Sequence, residues 1–127
     1  MPLVTAKKIL TKANKKNYAI GAFNFTNMET LQAIISAATE LNSPVIVQTS
    51  EGTIKYMGLN YISAMVTSAA KTAKIPIALH LDHGSSPDSV KDCIKAGFTS
   101  VMIDGSALKF EENIALTKKV VEIAKKS

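Results

Sequence analysis

The densest chemical grouping in the chain is His80-Leu81-Asp82-His83, followed by Gly84 and Ser85. It contains both histidines of the 127 residues. The run leading into it is otherwise apolar. A carboxylate in such a run is costly unless it is paired, hydrogen-bonded or associated with a metal. Histidine beside aspartate suits a metal centre. Zinc takes neutral imidazole, and in catalytic sites it keeps three protein ligands and one open position. Side chains alternate along a strand, so Ala78, His80 and Asp82 share one face and His83 lies on the other. The two histidines are therefore not expected to chelate one metal unless the strand ends between them. His80 reads as a core or rim histidine holding a hydrogen bond. His83, next to Gly84, reads as a ligand or catalytic group. Asp82 could also serve as a turn or N-cap carboxylate, and Asp104, before Gly105, as the acid of an Asp-Gly turn.

Other chemistries lack their parts. There is no Gly-x-Ser-x-Gly elbow for a serine nucleophile. A Schiff-base lysine belongs on or at the end of a strand in a desolvated site. No lysine falls inside an expected strand, and Lys55 and Lys109 follow strands in polar surroundings. Cys93 falls in a helical segment and reads as a small buried residue.

Short, nearly continuous apolar runs must position these groups: Ala19–Asn24, Val45–Thr49, Ile77–Asp82 and Ser100–Asp104. Such runs fit parallel strands covered on both faces. Helical spacing fills the intervals: Thr5–Asn14, Met28–Leu41, Tyr61–Thr72, Pro87–Ala96 and Glu111–Lys126. Ser86-Pro87 is a cap followed by proline at the first helical position. Gly97 ends the helix before the fourth strand. Every strand delivers polar residues at its carboxyl end: Asn24, Thr26 and Asn27; Gln48, Thr49, Ser50 and Glu51; His80, Asp82, His83 and Ser85; Asp104 and Ser106. That end is the functional edge of parallel α/β folds. Each strand–helix unit takes about 32 residues, and eight such units make a (β/α)₈ barrel of about 250. The chain thus has the length of half a barrel, as a single unit over residues 1–127. A small open doubly wound sheet is the rival. The missing Gly-x-Gly-x-x-Gly and Walker A patterns weaken a nucleotide-binding version of it.

The composition is 46% hydrophobic and 20% charged, that of an ordinary globular domain. All 15 basic residues are lysines, against 10 acidic residues, for a net charge of +5. Without a single arginine, the preferred fork for bases and phosphates, a nucleic-acid reader is not expected. The lysines at the two ends read as solvated helix faces with a mild attraction for small anions. No run is long enough to span a bilayer, and the N-terminus is too polar for a signal peptide. A single cysteine points to a reducing cytoplasm.

Ile75-Pro-Ile-Ala-Leu-His-Leu-Asp-His-Gly84 resembles the strand-three signature of class II, zinc-dependent fructose-bisphosphate aldolases. Gly21-Ala-Phe-Asn24, Ser43-Pro-Val-Ile-Val-Gln48 with Ser50, Gly97-Phe-Thr-Ser-Val-Met-Ile-Asp-Gly-Ser106 and Phe110-Glu-Glu-Asn113 match in order and spacing. The resemblance implies an α/β protein of the (β/α)₈ TIM-barrel family, with this chain covering about the first four βα units. It implies aldol cleavage and condensation of fructose 1,6-bisphosphate in glycolysis and gluconeogenesis. Tagatose-bisphosphate aldolases belong to the same family, and His83-Gly84 leans toward the fructose enzyme. Asp82 matches the catalytic acid/base that exchanges a proton with the C4 hydroxyl. His83 matches one of three zinc-binding histidines, and Asp104 a carboxylate at an alternate metal position. Asn24 and Ser50 match substrate contacts, and His80 a histidine beside the site. The remaining zinc ligands would lie outside this chain. The expected partners are a sugar bisphosphate and either a C-terminal half barrel or a second copy, in a homo-oligomeric enzyme, with no nucleic acid and no membrane. A non-catalytic half barrel that self-associates through open sheet edges is the alternative.

Overall fold

A computed structural model describes residues 3–126. The elements follow the chain as α1 (Ala6–Lys16), β1 (Ala22–Asn24), α2 (Met28–Glu40), β2 (Val45–Ser50), α3 (Glu51–Met57), α4 (Leu59–Thr72), β3 (Ile77–Gly84), α5 (Pro87–Lys95), β4 (Ser100–Ile103) and α6 (Phe110–Lys125). The strands form one parallel sheet in the order β1-β2-β3-β4. The strand-and-helix alternation read from the sequence is present. No described helix is long and apolar enough to cross a membrane.

The outer face of the sheet carries the main core. Val45 and Val47 on β2 and Ile77, Leu79 and Leu81 on β3 pack with Leu31, Ile62, Val66, Val90 and Val120 from the helices. Each such side chain, fully buried, contributes about 1.5–3 kcal/mol of transfer free energy. Cys93 lies in this layer, and burial pushes its thiol up to about 11, as a small apolar residue requires. The helix ends are specified locally. Thr5, Asn27, Ser50 and Ser86 each cap a helix through the side chain, and Pro87 stands in the first turn of α5. Gly97, at φ +97, takes the left-handed position after that helix.

The inner face is divided along the strands. At its amino end, Ile46 and Ala78 pack under Ala6 and Ile9 of α1. The Val4 amide donates to the Ile77 carbonyl at 2.9 Å and ties this plug to β3. Toward the carboxyl end the face becomes polar. Period-two alternation and the register place Asn24, Gln48, His80 and Ser100 side by side, with Ser50 beside Asp82 one step further on.

Several expectations are corrected. The first strand is shorter than Ala19–Asn24 and is exposed along its length, because it lies at the sheet edge with β2 as its one described neighbour. The third strand runs past Asp82 to Gly84, and the fourth stops at Ile103, before Asp104. The residues after β2 form α3, so Lys55 is helical. Thr49, expected at the polar edge, is fully buried on the helix side, as alternation with Gln48 and Ser50 demands.

The Thr49 hydroxyl oxygen has no hydrogen-bond partner. An unpaired buried hydroxyl costs on the order of 1–3 kcal/mol. Thr49→Val is therefore expected to stabilise the fold by about 1 kcal/mol, read as a higher urea midpoint at unchanged slope. A lower midpoint would show that the hydroxyl is satisfied in solution.

Candidate active site

The carboxyl edge of the sheet gathers one continuous polar chain. Gln48 Nε2 donates to Asn24 Oδ1 at 2.8 Å, and Asn24 Nδ2 donates to Asp82 Oδ2 at 3.2 Å. The carboxylate can only accept, so it fixes the orientation of the Asn24 amide, which in turn fixes that of Gln48. Asp82 Oδ1 faces His83 Nε2 at 3.8 Å. His83 Nδ1 meets Asp104 Oδ2 at 2.7 Å, and the Ser106 amide donates to Asp104 Oδ1 at 2.9 Å. Five side chains and the Ser106 amide, from the four strands and their following loops, are thus joined edge to edge.

Asp82 and His83 meet because β3 breaks its alternation. His83 has φ 52, in the left-handed region. The β3–β4 register shifts between Leu81 and Gly84. Simple alternation would have put His83 on the helix side of the sheet, away from Asp82, and that expectation is corrected here. Such a backbone costs on the order of 1–3 kcal/mol and persists only where its surroundings over-determine it. Gly84 is required by close approach: a Cβ there would stand 2.7 Å from the Met102 carbonyl oxygen. The Asp104 amide donates to the Gly84 carbonyl at 2.8 Å and pins the bulge to β4. On the other side, Glu51 accepts from both the amide and the hydroxyl of Ser85, each at 2.7 Å.

The electrostatics follow these contacts. The hydrogen bond to Asp104, reinforced by the charge of Asp82, raises the His83 pKa above the ordinary imidazole value. Bonds from Ser106, then from His83, hold Asp104 well below the usual carboxylate range. Burial lowers the His80 pKa against the opposing charge of Asp82. The His80 Nδ1 lies 2.7 Å from the Ser100 hydroxyl. His80 therefore stands beside the polar chain, on its own hydrogen bond. The Ser50 hydroxyl accepts from the Thr53 amide at 3.3 Å as the cap of α3 and borders the site next to Asp82.

Asn24, Ser50, His80, Asp82, His83 and Asp104, singled out in the sequence, all reach this one edge. The unassigned members are Glu51, Ser85, Gln48 and Ser100. Their polar types at strand ends or starts were visible, but their partners come from other strands. Among the described residues, no three His, Cys, Asp or Glu side chains are grouped to hold a metal. His83 alone has the arrangement of a metal-bound imidazole: Nδ1 is oriented by a carboxylate, and Nε2 is left for a ligand.

A family model described as fructose-bisphosphate aldolase class-II matches residues 4–127. The fructose-bisphosphate aldolase of Helicobacter pylori is 54% identical over 123 residues, covering 96% of this chain and 40% of the relative. That of Staphylococcus aureus is 51% identical over 127 residues, covering 98% of this chain and 44% of the relative. The crystal structure of the YdjI aldolase from Escherichia coli superposes with a TM-score of 0.89 at 38% identity, over 94% of this chain and 46% of that one. The chain thus spans less than half the length of these relatives. Its parallel α/β sheet is the corresponding part of a TIM-barrel fold, and the chain belongs to the class II fructose-bisphosphate aldolase family.

Proposed function

We propose that this chain supplies the acid/base carboxylate and one metal ligand for aldol cleavage of fructose 1,6-bisphosphate to dihydroxyacetone phosphate and glyceraldehyde 3-phosphate. The observation that carries this reading is the Asn24–Asp82–His83–Asp104 chain, open at the carboxyl edge of the sheet. Asp82 has one oxygen held by Asn24, and the other, 3.8 Å from His83 Nε2 and beyond hydrogen-bond distance of it, can accept from a bound hydroxyl. In cleavage that oxygen takes the proton of the C4 hydroxyl. The C3–C4 bond breaks, O4 becomes the aldehyde oxygen, and the bonding pair stays with the ketone fragment. Condensation returns the proton by the same path. Asn24 keeps a second amide N–H for oxygens of the substrate, and Ser50 offers its hydroxyl by exchanging the 3.3 Å contact with the Thr53 hydroxyl for a substrate oxygen. The net charge of +5 favours approach of a bisphosphate.

His83 fits zinc as one ligand through Nε2, with Asp104 orienting the ring; the other ligands come from outside the described residues. The chemistry a bound zinc ion supplies is Lewis-acid polarisation of the substrate ketone. A coordinating imidazole must be neutral, so the second proton, on Nε2, which the raised pKa favours, competes with the metal while the Nδ1–H stays on Asp104.

The same reading places the completing barrel strands against β1 and β4. Phe23 and Leu41 are exposed beside the β1 edge, where a groove of about 750 Å³ runs along Ala19, Gly21 and Pro44. Met102 and Phe110 are exposed on the β4 side. A C-terminal half barrel fits these edges, and so does a second copy of the chain. Native mass separates the two. We place the enzyme in the cytoplasm, in glycolysis and gluconeogenesis.

The direct test is EDTA-sensitive cleavage of fructose 1,6-bisphosphate by the chain with its completing half. Asp82→Ala is expected to lower kcat by at least about a hundredfold with zinc stoichiometry unchanged; near-native turnover would remove Asp82 from the acid/base role. His83→Ala is expected to lose zinc, and full metal content would end its assignment as a ligand. A pH effect follows from the His83–Asp104 pair. The raised imidazole pKa means the pair's contribution to stability is present at low pH, above the Asp104 titration, and is lost as pH rises through the His83 pKa. Asp104→Asn should bring the His83 titration, followed by NMR, down toward the ordinary value. No movement would show that the pair is not formed in solution.

A further inference from the structure

We propose that Glu51 is a positioning residue: by clamping Ser85, it holds the neighbouring His83 backbone in the left-handed conformation that turns the imidazole toward Asp82 and Asp104. This inference rests on reading Asp82 and His83 as the working groups.

The geometry supports it from both sides of β3. On the β4 side, the bulge is pinned by the Asp104 amide on the Gly84 carbonyl and by the Asp104 carboxylate on the imidazole. On the β2 side, the clamp is Glu51, with Oε1 accepting from the Ser85 amide and Oε2 from the Ser85 hydroxyl. Ser85 lies two residues after His83, so tying down its amide limits the paths the chain can take out of the bulge. Glu51 immediately follows Ser50, whose backbone is registered against Asp82. The clamp therefore ties the strand that borders Asp82 to the loop that carries His83.

A helix-capping role does not account for these contacts. Glu51 opens α3, but the cap is the Ser50 hydroxyl, which accepts from Thr53. Both carboxylate oxygens of Glu51 are committed across the strand gap. Burial pushes the Glu51 carboxyl up, yet the two Ser85 bonds, with a smaller contribution from the Ser89 hydroxyl, outweigh it and leave the pKa below its ordinary value. The carboxylate therefore stays charged at neutral pH, and charge-assisted bonds of this kind are the stronger class.

The test is NMR on the chain itself and needs no turnover. A positive φ gives His83 a strong intraresidue HN–Hα cross-peak. In Glu51→Ala that cross-peak is expected to weaken, and exchange of the Ser85 amide to accelerate about tenfold or more. Glu51→Gln can still accept from the Ser85 amide and donate to its hydroxyl, so it should restore the His83 signal. Lys55→Ala, on the exposed side of the same helix, should change neither. If Glu51→Ala does not fold, Ser85→Ala carries the test by removing one arm of the clamp, and the same signals should move in the same direction. A folded Glu51→Ala or Ser85→Ala chain with a native His83 cross-peak and native exchange of the amide at position 85 overturns the proposal, and so does an equal change in Lys55→Ala. The aldol reading stands or falls separately, on the cleavage assay with Asp82→Ala.

Discussion

Two adjacent residues of a regular strand face opposite sides of the sheet, yet the polar chain at this edge brings Asp82 and His83 to the same side. The left-handed backbone at His83 resolves this conflict, and much of the carboxyl edge is arranged around it. Gly84 is small so that β4 can approach. The β3–β4 register slips at that point, and Asp104, just beyond the end of β4, reaches the turned imidazole. A conformation that is unfavourable by itself becomes the stable one because neighbours on both sides are built to fit it.

The inner face of the sheet shows how one surface serves two purposes. Its amino half is apolar and filled by α1, where Ala6 and Ile9 meet Ile46 and Ala78. Its carboxyl half is polar, and its groups satisfy one another in a row from Gln48 to Ser106. The outer face, from Val45 to Leu81, supplies most of the burial. The main core and the polar chain therefore lie on different surfaces of the same strands. A residue such as Thr49, polar but one position out of phase, falls on the core side.

Much of this was legible in the residues. Apolar runs broken by helical spacing marked the four strands, because buried parallel strands leave a nearly continuous apolar trace. Ser86-Pro87 and Gly97 marked helix ends, because those conformations are chemically specified. His80, Asp82 and His83 stood out as polar groups in an apolar setting. What was not legible depended on distant partners. The bulge at His83 needs Asp104 and Ser85, and alternation alone pointed the ring the other way. The seven residues of α3 carry Gly52 and no buried side chain, so they read as loop. The exposure of β1 comes from its place at the edge, which pattern within a single strand does not encode.

The α1 plug bears on how the chain is made. Its docking surface includes Ala78, and its tether is the Ile77 carbonyl, both far downstream in the order of synthesis. As the chain emerges from the ribosome, the first helix must wait through β1, β2 and the helices between before its seat exists. Within this chain the plug therefore precedes its seat and is laid only after β3 has formed.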